Sequence, residues 1–453
     1  MDLKAQMPGL RSLEVLALLI ALSPIAADAV PSFARQTGQS CVACHAGGQF
    51  PELTPYGRMF KLTGYTQGER KNPLSAMLVT SLTKTRNNTD ATGASVSPKD
   101  GQAIFDFASV FVAGKVTDNV GVFAQYTYVA HDHQDDAGKW IGHFGADNTD
   151  IRFADHLIRE DRDLVYGVTL NNNPSVQDPW NSSPAWAYPY VSSSISPVAR
   201  APFQTMLEGG LAQQVSGLGA YVYWKRSVYA ELSSYQSANG ILSFLRQGNH
   251  AGSADHPRIF VKGHNPYWRL AYTGEKGAHN WMLGALGLTA EVFPNDSEAQ
   301  PEFGSGSTKF RDVGVDAQYQ YILEPHTVSA QARFIKERIR DPQNLVLADS
   351  TSATLRTFRS KVSYVYQSKY GASLSFFNVN GSGDSLAFAG GVTNSPGTRG
   401  WTPEVFWTPW QHLRVGMQYT AFTRYLGAKS NFDGTGRNAR DNNTAYLYAW
   451  LAY

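Results

Sequence analysis

Apolar and polar residues alternate with period two over long stretches of this chain. From Val313 to Leu323 the apolar positions Val313, Val315, Ala317, Tyr319, Tyr321 and Leu323 enclose Gly314, Asp316, Gln318 and Gln320. The next run sets Val328, Ala330, Ala332 and Phe334 against Thr327, Ser329, Gln331 and Arg333. A third sets Phe358, Val362, Tyr364 and Tyr366 against Thr357, Arg359, Lys361 and Ser363. Period two marks strands with one apolar and one polar face. A soluble sandwich gives the same alternation. A membrane barrel gives it too, with the apolar face on lipid and the polar face on a watery lumen.

Connection lengths separate the two. The pattern predicts strands near 74–86, 101–115, 120–131, 149–158, 163–171, 212–225, 227–236 and 265–275. It continues near 279–292, 309–323, 326–340, 353–367, 370–380, 398–408, 411–425 and 444–453. Tight turns at Thr117-Asp118-Asn119, Gly274 to Gly277, Leu323 to His326 and Thr408 to Trp410 alternate with long polar loops. Those loops are 132–148, 172–211, 237–264, 293–308, 381–397 and 426–443. Short turns at one end and long loops at the other is the layout of an outer-membrane barrel. An even count of sixteen strands leaves an open lumen. The last strand alternates Ala445, Leu447, Ala449 and Leu451 with Tyr446, Tyr448 and Trp450, and ends on the aromatic Tyr453. The expected fold is all-β, a transmembrane antiparallel porin-like barrel.

Composition agrees. Charged residues make up 17% of the 453 residues, below the roughly 25% of ordinary soluble chains. Aromatics reach 12%, and Gly counts 41. The net charge of +2 gives no ground for a nucleic-acid partner; outer-membrane lipid is the partner expected of the wall. The N-terminus carries Lys4 and Arg11, an apolar run from Val15 to Leu22, and the small-residue end Ala27-Asp28-Ala29. That is the layout of a secretory signal peptide, and the run is far short of the ~20 residues of a spanning helix. The expected division is a signal peptide over 1–29, a small segment over 30–72 and the barrel over 73–453.

The small segment carries the chemistry. Cys41-Val42-Ala43-Cys44-His45 holds the chain's 2 cysteines and an adjoining histidine. C-x-x-C-H is the spacing of covalent haem attachment, two thioethers and an axial imidazole. The competing reading is a C-x-x-C redox pair or a small disulfide, but no thioredoxin-like βαβ pattern surrounds it. Cys41 and Cys44 are therefore expected to bind one haem c, with His45 as ligand to its iron. About forty residues bury little core alone, so the haem and the barrel wall are the expected staples. Because segment 30–72 leads directly into strand one, it is expected at the periplasmic mouth or in the lumen.

The run PSFARQTGQSCVACHAGGQFPELTPYGRMFKLTGY resembles the N-terminus of the fused monohaem cytochrome c–porin family, which includes outer-membrane cytochromes of iron-oxidising bacteria. The stretches NNNPSVQDPWNSSPAWAYPY (Asn171 to Tyr190) and QQVSGLGAYVYW (Gln213 to Trp224) resemble it as well. The resemblance implies an oxidoreductase that takes electrons from extracellular Fe(II) through one haem and passes them to a periplasmic cytochrome or other carrier. Two other readings stay open: a transport porin whose haem segment is a plug or redox-sensitive gate, and a secreted soluble β-protein with one haem.

Several residues have two readings each. Met59 is either a sixth haem ligand or apolar filler, and a barrel histidine could take the same place. Arg333, Arg359 and Lys361 either pair with haem propionates or line the lumen as porin charges do. His131, Asp132, His133, Asp135 and Asp136 begin the loop after strand three, as solvated charge or as a metal site. Pro174, Pro179, Pro184 and Pro189 stiffen the loop after strand five, which either folds inward or lies on the surface.

Overall fold

Among the described residues, sixteen strands follow one another and close into one antiparallel barrel. In order they are β1 Leu74–Thr85, β2 Ala103–Lys115, β3 Val120–Gln134, β4 Trp140–Arg159, β5 Arg162–Asn171, β6 Val215–Trp224, β7 Val228–Ser237 and β8 Asn265–Lys276. They continue as β9 His279–Val292, β10 Thr308–Leu323, β11 His326–Arg340, β12 Ser352–Tyr366, β13 Tyr370–Gly381, β14 Thr398–Trp410, β15 Leu413–Arg424 and β16 Thr444–Ala452. Each pairs with its neighbours in sequence, and β1 closes on β16 from Met77↔Ala452 to Thr85↔Thr444. The computed structural model describes residues 32–48, 51–97, 99–134, 139–159, 162–186, 188–196, 202–247, 259–296 and 300–453. The expected signal peptide lies outside them.

The wall is built inside out relative to a water-soluble protein. Along β10, Asp312, Asp316, Gln318 and Gln320 are buried in the lumen while Val313, Val315 and Tyr319 face out. Arg152 and Arg269 are 0% exposed, whereas Leu283 is 60% and Val315 55% exposed. A continuous apolar outer face is costly in water and matches a barrel set in lipid. Exposed Trp224, Tyr272, Tyr319, Tyr364, Trp407 and Trp410 lie within a few residues of the short turns. They form an aromatic belt of the kind found at membrane interfaces. No helix among the described residues is long and apolar enough to cross a membrane.

The two ends differ as expected. The β8–β9 turn has Gly277 at φ +58°, a conformation two-residue hairpins need and glycine adopts without strain. One loop expectation fails: the polar loop over 132–148 is mostly strand. β3 runs on to Gln134 and β4 begins at Trp140, paired through His133↔Ile141 and Gln134↔Trp140. Here polarity misleads, because beyond the wall the two strands need only each other, and His131 packs edge-on against Trp140 at 5.6 Å.

Two segments fill the lumen. The connection from β5 to β6 turns inward, and its residues from Asn172 to Pro184 are all buried. The N-terminal segment enters from the short-turn end as three short helices, α1 Ser32–Thr37, α2 Cys41–Cys44 and α3 Pro55–Leu62. Helix α3 starts where the sequence provides a Thr cap and a Pro in the first turn; the Thr54 hydroxyl accepts from Gly57 N at 3.2 Å.

Candidate functional site in the barrel lumen

Helix α2 places Cys41 and Cys44 three residues apart, so both thiols share one helical face. Both are free and half-buried. His45 ends the helix, its N–H donating to Cys41 O at 2.9 Å. The chain then turns through Gly47 and Gly48, at φ +83° and +100°. It comes back antiparallel: Ala46 N donates to Glu52 O and Thr54 N to Cys44 O, each at 2.9 Å, and His45 bridges Leu53. Helix α3 packs on this lasso so closely that a Cβ at Gly57 would collide with the Cys44 carbonyl oxygen. The Thr54 hydroxyl donates to Ala43 O from the same side.

Two unlinked thiols on one face with an imidazole directly after them are the donor set of a c-type haem. Burial pushes both thiols above their ordinary value, Cys44 to about 11 with Cys41 adding to the effect.

Buried polar contacts fix the segment to the barrel. Arg58 donates to Glu275 at 3.0 Å and to Asn280 and Gln320 at 3.2 Å. Lys61 Nζ donates to Val176 O, Asp178 O and Asn181 Oδ1 at 2.7, 2.9 and 2.8 Å, all on the inward β5–β6 connection. Arg152 of β4 returns a bond to Lys61 O at 3.0 Å, and Tyr221 of β6 one to Leu62 O at 2.6 Å. Tyr65 donates to Asp150 at 2.6 Å. Glu52 accepts from Lys361 of β12 at 2.8 Å, with both side chains almost fully buried. Sequence reading missed Glu52, Arg58 and Lys61. Their signal was three charges inside a short segment with little other means of burial.

The other expected residues divide. Met59 does not face α2; about 100° per residue puts it on the far side of α3 from Gly57, against the cluster of Leu62, Trp180, Tyr221 and Tyr229. That placement is apolar filling. Arg333, Arg359 and Lys361 do face the lumen, but each is paired with a protein carboxylate: Arg333 and Arg359 with Glu208 at 3.2 and 2.8 Å, Lys361 with Glu52. His131 and Asp132 lie on β3 rather than in a loop. Asp135 and Asp136, and the side chain of His133, fall outside the described residues. No group of three metal-ligating side chains forms among the described residues.

A cavity of about 10 Å³, room for about one water, remains near the short-turn end. Its lining includes Tyr190, Lys361, Ser375, Thr402, Arg414 and Trp450. It lies against β12–β16, and Glu52 of the N-terminal segment reaches its rim through Lys361.

No protein-family model matches the sequence, and no curated protein does. Solved structures with similar architecture are outer-membrane channels. The chain is similar to the outer membrane channel DcaP of Acinetobacter baumannii, at 11% identity and TM-score 0.46, covering 84% of this chain and 96% of that one. It is similar to the anion-selective porin of Comamonas acidovorans at 9% identity and TM-score 0.46, over 84% and 98% of the two chains. OmpF of Salmonella typhi follows at 12% identity and TM-score 0.41, over 84% and 97%. The barrel described above rests on its own strand register.

Proposed function

We propose that this chain is an outer-membrane barrel that carries one haem c in its lumen and passes electrons from an extracellular donor to a periplasmic electron carrier. The observation that carries this reading is the placement of Cys41, Cys44 and His45 on a segment pinned inside a barrel with an apolar outer face. With short turns in the periplasm, as in bacterial barrels, segment 32–72 lies near the periplasmic mouth, within reach of a soluble carrier. Fe(II) as the donor rests on the family resemblance alone.

In this reading Cys41 and Cys44 would hold the haem through thioethers and His45 would hold its iron, and the haem would supply one-electron chemistry. The chain supplies position and closure. The His45–Leu53 bridge and the Glu52–Lys361 pair fix the strand on which the imidazole sits. Lys61 and Arg152 lock α3 to the inward connection, which occupies part of the lumen.

A second reading is a solute porin with the N-terminal segment as gate. It is favoured by the sixteen-strand closed barrel, a size that leaves room for a lumen. The purified protein separates the two. Reduction of a covalent haem by Fe(II), with turnover when a periplasmic cytochrome is added, supports the conduit. Solute uptake into liposomes without any such reduction would replace it with the porin.

A further inference from the structure

We infer that Asp312 and Glu337 share one proton, and that this proton latches the inward connection to the barrel wall. Its loss as pH rises releases the connection and opens the lumen. Asp312 of β10 and Glu337 of β11 are direct cross-strand partners, and both are buried on the lumen face at 2% exposure. Side chains so opposed have Cβ atoms about 4.5–5.5 Å apart, and like charges there repel. Their surroundings are apolar. Asp312 is opposite Leu288 of β9 and Glu337 is opposite Leu355 of β12, and Phe310, Ile335 and Ile339 belong to the same buried cluster. Two carboxyls this close and away from water do not both ionise; one keeps its proton and donates it to the other.

The charges also balance with that proton. The charged groups on the lumen face of the adjoining elements are Asp316 on β10, Arg333 on β11, Arg359 on β12 and Glu208 on the connection. From β9 come Leu286 and Leu288, while Arg311 and Arg338 point to the outer face. Asp316 is paired with Arg269 at 2.8 Å, and Arg333 and Arg359 both go to Glu208 at 3.2 and 2.8 Å. Glu208, Asp312 and Glu337 thus set three carboxyls against two guanidiniums, and one proton brings the group to neutrality. The same pair holds the turn of the connection. Met206 N donates to Glu337 and Leu207 N to Asp312, each at 2.7 Å, and the Leu207 side chain is 1% exposed in the apolar cluster. A second negative charge is relieved by water or a cation, and either reaches the pair by displacing Leu207. Hydrated in the open state, both carboxyls ionise near neutrality; the closed state holds one proton more, so rising pH favours opening. The latch does not depend on the haem.

Amide exchange and conductance of the purified full chain test it. Between about pH 5 and about pH 9, exchange at Met206 and Leu207, corrected for its intrinsic pH dependence, should quicken roughly tenfold or more, the factor that matches a repulsion above about one pK unit. Conductance across planar bilayers should rise over the same range and fall again on return to acid. Infrared difference spectra of the wild type should show a protonated-carboxyl C=O band that fades as exchange quickens, a readout that needs no variant. Glu337→Gln and Asp312→Asn leave at most one charge in the pair at any pH, so each should lose both the band and the alkaline change. Glu337→Asp keeps two carboxyls and should retain both. Heat-modifiable migration on gels checks that each barrel has folded. A wild type whose exchange and carboxyl band do not change with pH would overturn the latch. So would an equal alkaline change in folded Glu337→Gln.

Discussion

Lys61 and Asn181 meet at 2.8 Å in the middle of the lumen, one on the N-terminal segment and the other on the inward connection. The same ammonium bonds two backbone carbonyls of that connection, Val176 O and Asp178 O. The two fillings are therefore one unit. Lys61→Met keeps the length of the side chain but leaves three buried acceptors without that donor, at roughly 1–3 kcal/mol for each group left unpaired. Protease cleavage of the connection should quicken, and ion conductance across planar bilayers should rise. Wild-type conductance and cleavage in this variant would show that the two segments hold independently.

The outer face yields a sharper division between membrane and soluble readings. Val315 sits halfway along β10, 55% exposed. In lipid, Val315→Arg should destabilise the barrel by about 2–4 kcal/mol, the cost of an arginine near the bilayer midplane. Urea titration of protein folded into vesicles measures it. A change near zero would favour the secreted soluble barrel.

Topology follows from the turns. A tag at Ser305 or Asn394, in the connections after β9 and β13, should be reached by antibody on intact cells, and a tag at Gly277 should not. Ser253, in the connection after β7, lies outside the described residues and should behave like Ser305. The reverse labelling would invert the barrel and put the haem segment outside.

The strand pattern was legible because a barrel wall forces the pleat to separate lipid-facing from lumen-facing residues at every position. The sixteen expected strands all form, most within three residues of their expected ends. Irregular segments obey no such rule. The four prolines of the inward connection mark stiffness, not direction. What turns it inward is burial of polar groups such as Asp178, which pairs with Arg269 at 3.1 Å. That partner lies 91 positions away, beyond any local pattern. Likewise Arg333, Arg359 and Lys361 were read correctly as lumen bases, but nothing nearby in sequence identified Glu208 and Glu52 as their partners. The Cys41–His45 motif was legible as a spacing, and the fold keeps its two thiols and imidazole together at the end of α2.

Acid should loosen the inward connection before it affects the wall. Glu208 lies in the connection, and although burial alone would raise its carboxyl, Arg359 and Arg333 hold it down at about 2. Asp312 and Glu337 also face this turn, accepting from Leu207 N and Met206 N at 2.7 Å. The folded value of Glu208 is below the unfolded value of about 4.3. Its stabilisation is thus complete above about pH 4.3 and is lost as pH falls towards about 2, by up to roughly 3 kcal/mol at 1.36 kcal/mol per unit. Pepsin cleavage of the connection should therefore rise between about pH 4 and pH 2 in the wild type. In Glu208→Gln that rise should be smaller. Equal profiles in the two proteins would assign the acid sensitivity to another group.

Gly57 is where the segment's own packing can be separated from the barrel's. A side chain there meets the Cys44 carbonyl, which is backbone and cannot swing aside. Gly57→Ala must push α3 away from α2, and overpacking of this kind costs about 1–3 kcal/mol. That is a large part of what so small a segment can hold. None of the wall contacts depends on the missing Cβ, so the barrel should still assemble and keep its heat-modifiable migration. Covalent haem staining should fall in Gly57→Ala, and it should vanish in Cys41→Ala/Cys44→Ala with the barrel again intact. Gly304→Ala, in open space on the connection after β9, is the control and should keep full staining. If Gly57→Ala retains wild-type staining, the close packing of α3 on the C-x-x-C-H helix is not needed for attachment. If the double cysteine variant loses the barrel as well, the haem belongs to the folding core of the whole protein, and segment and wall cannot be treated as separable.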